Sequence, residues 1–253
     1  MDVASRAVKA SIPLTFAPLQ FALTPDGSRL HVTGGPVVAI GTSTNQIVAT
    51  ITLPASSAGL AITPDGTKVY VANWVQQPPP DRALHPNLTS SLVSVIATSS
   101  NTVTATIGVP YNSINAPALT VTLDGAQVYV VTQYGLTVIA TSTNTVATKI
   151  DDTSEPLSLA PSPDGSRIYV GEAFGTLSVV QTSSNTLTKR VAVPSNITAL
   201  AVTKNNGTLF AAASAAGQVV ALDISAGLRI TRPSRWARVP AVWLLLRMAR
   251  PCM

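Results

Sequence analysis

A tight-turn motif recurs five times along this chain of 253 residues and constrains the fold more than any other feature. It reads Thr-Pro-Asp-Gly at residues 24–27 and 63–66, Thr-Leu-Asp-Gly at 122–125, Ser-Pro-Asp-Gly at 162–165 and Lys-Asn-Asn-Gly at 204–207. The final glycines are separated by 39, 59, 40 and 42 residues. Proline, aspartate and glycine each favour one corner of such a turn. A period of about 40 residues predicts a repeat protein.

A second series of turns runs in phase with the first. It reads Thr-Ser-Thr-Asn at 42–45 and 141–144, and Thr-Ser-Ser-Asn at 98–101 and 182–185. Between the turns, residues 68–72 and 93–97 are rich in β-branched residues, and residues 102–107 alternate threonine with apolar residues. These patterns are typical of strands. Each repeat is therefore predicted to contain four antiparallel strands, which we name a, b, c and d.

Four-stranded units of this length predict an all-β fold, a β-propeller whose blades are four-stranded antiparallel sheets. A single blade cannot bury both faces, and stacking blades around an axis does so. Five repeats are visible. They either close into a five-bladed ring or form part of a larger propeller, for example a seven-bladed one. We assign residues 1–226 to the propeller, with residues 7–13 as a candidate d strand that completes the last blade.

The b strand of the second repeat reads Tyr70-Val71-Ala72-Asn73, and the sequence VSVIATSSNTV follows at 93–103. These segments resemble the YVTN family of β-propeller repeats, and the resemblance covers about residues 7–225. It implies a surface-layer or secreted propeller, and at greater distance the repeats are similar to lactonases and to the propeller domains of redox enzymes. A secreted or cell-surface location is thus an implication of the family. The sequence shows no signal-peptide pattern, so the compartment is left open.

The formal net charge of +5 arises from the C-terminal residues 227–253, which hold six arginines and no acid. This segment abandons the repeat, and we expect it to be a basic tail outside the fold. An out-of-frame extension, a basic amphipathic surface helix and a nucleic-acid arm are its alternative interpretations. Because the repeats are nearly neutral, we predict no nucleic-acid surface on the propeller. The apolar run 239–246 is too short to span a bilayer, so no transmembrane segment is predicted.

The family resemblance implies that ligands bind at the axis or on the face that carries the d–a and b–c connections. The sequence places aromatic, acidic and amide residues in these connections. Several of them lie in a proline-containing insert that follows the b strand of the second repeat. The candidate binding residues are Trp74, Asp81, Arg82, His85, Tyr111, Asn112, Tyr134, Asp152, Glu172 and Phe174.

The chain is poor in the groups that catalysis and metal binding require. It contains two histidines, His31 and His85, and one cysteine, Cys252, which excludes an ordinary zinc site and an intramolecular disulfide. There is no Gly-x-Ser-x-Gly elbow and no glycine-rich phosphate loop. The aspartate of the Pro-Asp-Gly turn recurs, which indicates a structural role. We therefore predict no catalytic residue, no metal and no cofactor.

The prediction that follows is a non-catalytic scaffold that presents its loop face to a protein or glycan partner. Two alternatives stay open. The chain is a shortened remnant of a larger propeller without its own activity, or it is a lactonase-like or metal-dependent hydrolase that uses acids such as Asp152 and Glu172. The hydrolase is the least favoured, because a fold alone does not imply an activity. The sequence indicates no oligomeric state.

Overall fold

The computed structural model describes residues 8–74, 91–109, 118–132 and 135–235. Within these ranges the regular structure consists of twenty β-strands in five four-stranded antiparallel sheets, without a helix. Each predicted repeat forms one sheet, which we number 1 to 5 in chain order. The predicted all-β fold class is confirmed.

The strand order within each sheet follows the order along the chain, so that every sheet is an antiparallel meander. Sheet 1 contains β1 (Phe21–Leu23), β2 (Arg29–Val32), β3 (Val37–Gly41) and β4 (Gln46–Ile51). Sheet 2 contains β5 (Ser56–Ile62), β6 (Lys68–Trp74), β7 (Ser91–Ala97) and β8 (Thr102–Val109). Sheet 3 contains β9 (Leu119–Val121), β10 (Gln127–Thr132), β11 (Gly135–Ala140) and β12 (Thr145–Ile150).

Sheets 4 and 5 complete the series. Sheet 4 contains β13 (Pro156–Pro161), β14 (Arg167–Glu172), β15 (Thr176–Gln181) and β16 (Thr186–Ala192). Sheet 5 contains β17 (Ile197–Val202), β18 (Thr208–Ala213), β19 (Gln218–Asp223) and β20 (Arg229–Arg235). In all five sheets the register between the third and fourth strands shifts at the corresponding residue of the third strand. This repeated β-bulge bends the fourth strand in the same way each time.

The two turn motifs fold locally and then lock to each other, as sheet 2 illustrates. The Thr63 hydroxyl donates to Asp65 Oδ1 at 2.5 Å, and the Thr67 backbone N–H donates to the same oxygen at 3.0 Å. Gly66 follows with a φ of 72°, a left-handed conformation that favours glycine. The Thr98 hydroxyl, from the second turn, donates to the Gly66 carbonyl at 2.6 Å. The aspartate of the first turn is thus structural, as predicted.

Four hydrophobic clusters join successive sheets, from sheet 1 to sheet 5. Tyr70, Tyr129 and Tyr169, at equivalent positions of the b strands, are fully buried in these clusters. Because the side chains of a strand alternate between its two faces, sheets 2, 3 and 4 contribute residues to a cluster on each side. The stacking of sheets therefore supplies the core that one repeat lacks.

The outer face of sheet 1 is covered by the chain that precedes it. Residues 11–16 alternate between exposed and partly buried, and Ile12, Leu14 and Phe16 are the partly buried ones. These three side chains pack against a fifth cluster, formed by Val32, Val38 and Ile40. Residues 8–13 form no strand, and the position predicted for them in the last sheet is taken by another segment.

That segment is β20, which pairs with β19 as the fourth strand of sheet 5. Residues 229–235 were predicted to lie in a tail outside the fold, and the structure places them in the propeller instead. The pairing uses backbone N–H and C=O groups, which every residue type except proline offers in full. Pro233 is tolerated because β20 is the outermost strand of its sheet. This explains how a strand forms in residues 229–235, although their sequence does not follow the repeat pattern.

Candidate functional site

The strand ends that the b–c and d–a connections join lie together at one end of every sheet. In sheet 4 the first residue of β13 pairs with the last residue of β14, and the first residue of β15 pairs with the last residue of β16. We call this end the loop face. The opposite end, which carries both turn motifs, is the turn face.

A groove of about 650 Å³ lies on the loop face between sheets 4 and 5. We call it the sheet 4–5 groove. It combines one aromatic ring, small apolar side chains, two hydroxyls and one amide, and none of its described lining residues carries a charge. The lining residues are Leu157, Ala173, Phe174, Ser195, Asn196, Thr198 and Ala215.

Phe174 presents its ring to this groove from a rigid turn. Its residue is 74% exposed and lies in the b–c connection of sheet 4, between Ala173 and Gly175. The Ala173 N–H donates to the Glu155 carbonyl at 3.0 Å, and the Gly175 carbonyl accepts from the Val193 N–H at 2.7 Å. Gly175 has a φ of 75°, and a Cβ atom there would lie 2.5 Å from the Val193 oxygen. The backbone of the turn that carries the exposed ring is therefore held in place.

Asn196 and Ser195 form the polar wall of the groove, in the d–a connection before β17. The Ala215 N–H donates to Asn196 Oδ1 at 3.0 Å, and the Ala216 N–H donates to the Ser195 hydroxyl oxygen at 3.1 Å. Since the Ala215 N–H is a donor, the Asn196 amide must turn its oxygen toward it. The Asn196 Nδ2 group then points away from Ala215, and no described residue accepts a hydrogen bond from it. Asn196 thus contributes to the groove lining an amide whose donor group has no partner among the described residues.

Glu172 lies directly behind the groove turn, at the end of β14, and is only 1% exposed. The Ser178 hydroxyl donates to Glu172 Oε1, and the Ser154 backbone N–H donates to Oε2 at 3.1 Å. Burial raises the pKa of Glu172, and the two hydrogen bonds partly oppose that rise. Both carboxylate oxygens are therefore engaged within sheet 4.

Asn73, at the equivalent position of sheet 2, explains what Glu172 does. The Asn73 amide donates to the Ala55 carbonyl at 3.2 Å and accepts from the Ser94 N–H at 3.2 Å. In both sheets this side chain connects the b strand to the d–a connection and to the c strand. Glu172 thus occupies a structural position of the repeat, a role that its acidic character did not reveal in the sequence.

Asp152 lies on the surface near Glu172 and forms an ion pair with Arg190. The Arg190 guanidinium donates to the Asp152 carboxylate at 2.8 Å and also to its backbone carbonyl. The Asp152 side chain is 73% exposed and the Arg190 side chain is 43% exposed. Exposed pairs of this kind contribute at most about 1 kcal/mol to stability. The pair fastens the d–a connection to the d strand.

The ten predicted binding residues divide into three groups. Asp152, Glu172 and Phe174 lie near one another at the loop-face end of sheet 4, and only Phe174 lines the groove. Trp74 ends β6 on the loop face, where its backbone pairs with Ser56. The others lie outside the described residues: Asp81, Arg82, His85, Tyr111, Asn112 and Tyr134.

Ser195, Asn196 and Leu157 were missed by the sequence analysis. All three lie in or beside d–a connections, and that position was the signal available for them. Their side chains are unremarkable in sequence, because hydroxyl, amide and aliphatic residues occur in most surface loops. Their proximity to Phe174 depends on how sheets 4 and 5 pack.

The turn face carries two smaller clefts, of about 270 and 130 Å³. Their acidic residues belong to the turn motifs and are already hydrogen-bonded. The Thr24 hydroxyl and the Ser28 backbone N–H, for example, lower the pKa of Asp26 to about 2. Among the described residues no group of three or more metal-ligating side chains converges. Nor does this part of the chain contain a helix long and apolar enough to cross a membrane.

Comparison with known proteins supports the fold. No protein-family model matches the chain, and no curated protein matches it. The structure is similar to Kuenenia stuttgartiensis hydrazine synthase, with 18% identity and a TM-score of 0.71 over 88% of this chain and 68% of that one. It is also similar to a functionally unknown protein from Desulfotomaculum acetoxidans DSM 771, with 17% identity and a TM-score of 0.74 over 88% and 71% of the two chains. Together with the five sheets, these similarities identify a propeller-like all-β fold.

Proposed function

We propose that this protein is a non-catalytic binding scaffold, a YVTN-type β-propeller that presents its loop face to a protein or glycan partner. The observation that carries the proposal is the sheet 4–5 groove, which exposes Phe174 on a fixed turn. Large apolar side chains that line a concave surface mark binding sites more often than isolated exposed residues do. A location at the cell surface or outside the cell accords with the YVTN resemblance.

The hydrolase alternative receives less support from the same region. Hydrolysis needs a positioned base, nucleophile or metal. The two acids that the hydrolase hypothesis invoked, Asp152 and Glu172, are engaged with Arg190 and with Ser154 and Ser178, respectively. Similarity to an enzyme such as hydrazine synthase extends to the fold and does not assign a reaction.

The proposal is tested by partner retention on the immobilised full chain. Cell-envelope and culture-medium extracts are passed over the parent protein, Phe174→Ala and Phe21→Ala. Phe21 is 59% exposed in β1 and lies outside the groove, which makes it a matched control. We expect a component retained by the parent and by Phe21→Ala and lost with Phe174→Ala. Equal retention by all three proteins contradicts a binding role for the groove.

A second candidate is the remnant hypothesis, in which the chain corresponds to part of a larger propeller. It is favoured by the coverage of the similar structures, of which this chain spans 68% and 71%. Light scattering and thermal unfolding test this hypothesis. The full chain is used, because a chain that ended at residue 226 would lack β20. A monomer with one cooperative transition argues for an independent protein, and aggregation with a broad transition argues for a remnant.

A further inference from the structure

We propose that the sheet 4–5 groove binds a neutral saccharide, with one face of a sugar ring stacked on Phe174 and hydroxyl groups bonded to Asn196 and Ser195. This inference rests on the proposed binding function and names its ligand class. Three properties of the groove support it: its charge, its shape and its arrangement of polar groups.

The absence of charge in the groove selects for a neutral ligand. None of the described lining residues ionises, and the Glu172 carboxylate behind the groove is buried and bonded to Ser154 and Ser178. A phosphate, carboxylate or ammonium group placed in the groove would lose hydration without gaining an opposite charge. Charged polysaccharides and charged peptides are therefore poor ligands for this site.

The shape favours a small polymer segment over a folded protein. A volume of about 650 Å³ lies within the range of small-molecule sites, roughly 300–1,000 Å³. A stable protein interface buries about 800 Å² on each partner and involves 20–30 residues a side, usually over a flatter surface. The described groove offers one concave site with a single aromatic ring, which suits one or a few sugar units.

The polar groups match the two-sided character of a sugar. A pyranose has C–H groups on its faces, which pack on an aromatic ring, and hydroxyl groups around its edge. The backbone on both sides of Phe174 is held by the hydrogen bonds of Ala173 and Gly175, and the Asn196 amide oxygen accepts from the Ala215 N–H. Because the turn that carries Phe174 and the Asn196 amide is already hydrogen-bonded, a ligand does not have to order these loops when it binds.

Two pairs of variants separate the groove from general effects on folding. Phe174→Ala removes the stacking surface, and Phe21→Ala removes an exposed ring elsewhere. Asn196→Ala removes the amide donor together with the bond to the Ala215 N–H. Asn205→Ala is its control, because Asn205 Oδ1 likewise accepts a backbone hydrogen bond, from Gly207 at 3.1 Å, and lies on the turn face.

The binding experiment is saturation-transfer NMR with the full chain and four probes: glucose, mannose, galactose and N-acetylglucosamine. We expect the parent protein to transfer saturation to the ring protons of at least one sugar at millimolar concentration. Phe174→Ala and Asn196→Ala should each weaken that sugar about tenfold, a factor that corresponds to 1.4 kcal/mol. The two control variants should bind as the parent does, and circular dichroism checks that all five proteins are folded.

The outcomes distinguish this inference from the proposed function on which it rests. Absence of transfer to all four sugars overturns the saccharide inference, as does transfer that Phe174→Ala and Asn196→Ala leave unchanged. If the parent still retains a partner from extracts in a Phe174-dependent way, and protease treatment of the extract abolishes retention while periodate does not, the scaffold function stands with a protein ligand. If nothing is retained either, both proposals fail.

Discussion

His31 occupies, in β2, the position that tyrosine holds in the b strands of sheets 2, 3 and 4. It is fully buried, and neither ring nitrogen has a hydrogen-bond partner among the described residues. Burial, helped by the positive charge of Arg29, lowers the pKa of His31 to about 4 from 6.5. The folded protein therefore keeps this imidazole neutral, whereas the unfolded chain protonates it below its usual pKa.

The consequence is a loss of stability in mild acid. Because the unfolded state binds the proton more tightly, the contribution of His31 to stability falls as the pH decreases from about 6.5 to about 4. At 1.36 kcal/mol for each pKa unit, the loss amounts to about 3 kcal/mol. We expect His31→Tyr, which introduces the residue of sheets 2, 3 and 4, to remove this loss. Urea unfolding of parent and variant between pH 4 and 8 measures it, and parallel curves would contradict the prediction.

The raised pKa of Glu172 predicts that its contribution to stability depends on pH with the opposite sign. Its raised pKa means that the folded state holds the proton more tightly than the unfolded state, so its contribution to stability falls as the pH rises from 4.5 through the raised value. Glu172→Gln keeps a side chain of the same shape beside Ser154 and Ser178 and cannot ionise. We expect the variant to gain stability relative to the parent as the pH rises.

The same urea series measures this effect. Glu155→Gln, at an exposed position of the same d–a connection, serves as the control for the loss of one carboxylate. A stability difference between Glu172→Gln and the parent that stays constant with pH would show that Glu172 does not titrate in this range.

At the scale of the element, neighbouring sheets are joined by bonds from a b-strand tyrosine to the asparagine of the next c–d turn. Tyr70 donates to Asn144 Oδ1 at 2.7 Å, and Tyr129 donates to Asn185. These asparagines adopt left-handed backbone angles, with φ of 53° and 54°. Tyr169 is fully buried as well, yet its hydroxyl has no partner among the described residues. The corresponding turn of sheet 5, residues 224–227, contains no asparagine.

This difference allows a matched pair of variants. Tyr70→Phe removes a hydroxyl that bonds to the next sheet, and Tyr169→Phe removes one that does not. We expect the first change to cost about 1 kcal/mol and the second to be neutral or slightly stabilising. For a chain of this size the first corresponds to a fall in Tm of roughly 2–4 °C. Differential scanning calorimetry compares the two, and equal shifts would refute a role for the Tyr70–Asn144 bond.

At the scale of the whole molecule, each sheet packs on the next one along the chain. Sheets 2, 3 and 4 are covered on both sides by other sheets, and sheet 1 is covered on its outer side by Ile12, Leu14 and Phe16. A terminal unit of a repeat array needs such a cover to remain soluble. The segment before β1 therefore acts as a cap.

Weakening this cap should promote association. Phe16→Ala removes the contacts of one partly buried ring. We expect this to lower the free energy of unfolding by about 1 kcal/mol. The apolar face formed by Val32, Val38 and Ile40 then becomes accessible to other molecules. Light scattering against concentration should show larger species for Phe16→Ala than for the parent and for Phe21→Ala. Identical masses for all three proteins would argue against a capping role.

The local turn chemistry determined most of the fold from the sequence alone. Thr63, Asp65 and Gly66 form their turn through hydrogen bonds that span no more than five residues. The same sequence motif recurs in other sheets with the same left-handed glycine. Such bonds depend little on the remainder of the chain. Strand number, strand order and the structural role of the turn aspartates were therefore predictable.

Tertiary structure decided the rest, because the remaining features depend on contacts between sheets. Only the packing of sheet 5 on sheet 4 brings Asn196 to the turn of Phe174, and only the two hydrogen bonds to Glu172 show that its carboxylate is engaged. Likewise, β20 joins sheet 5 by backbone pairing, and the residue pattern of this segment does not predict that pairing. Ile12, Leu14 and Phe16 cover sheet 1 because its outer face offers apolar surface.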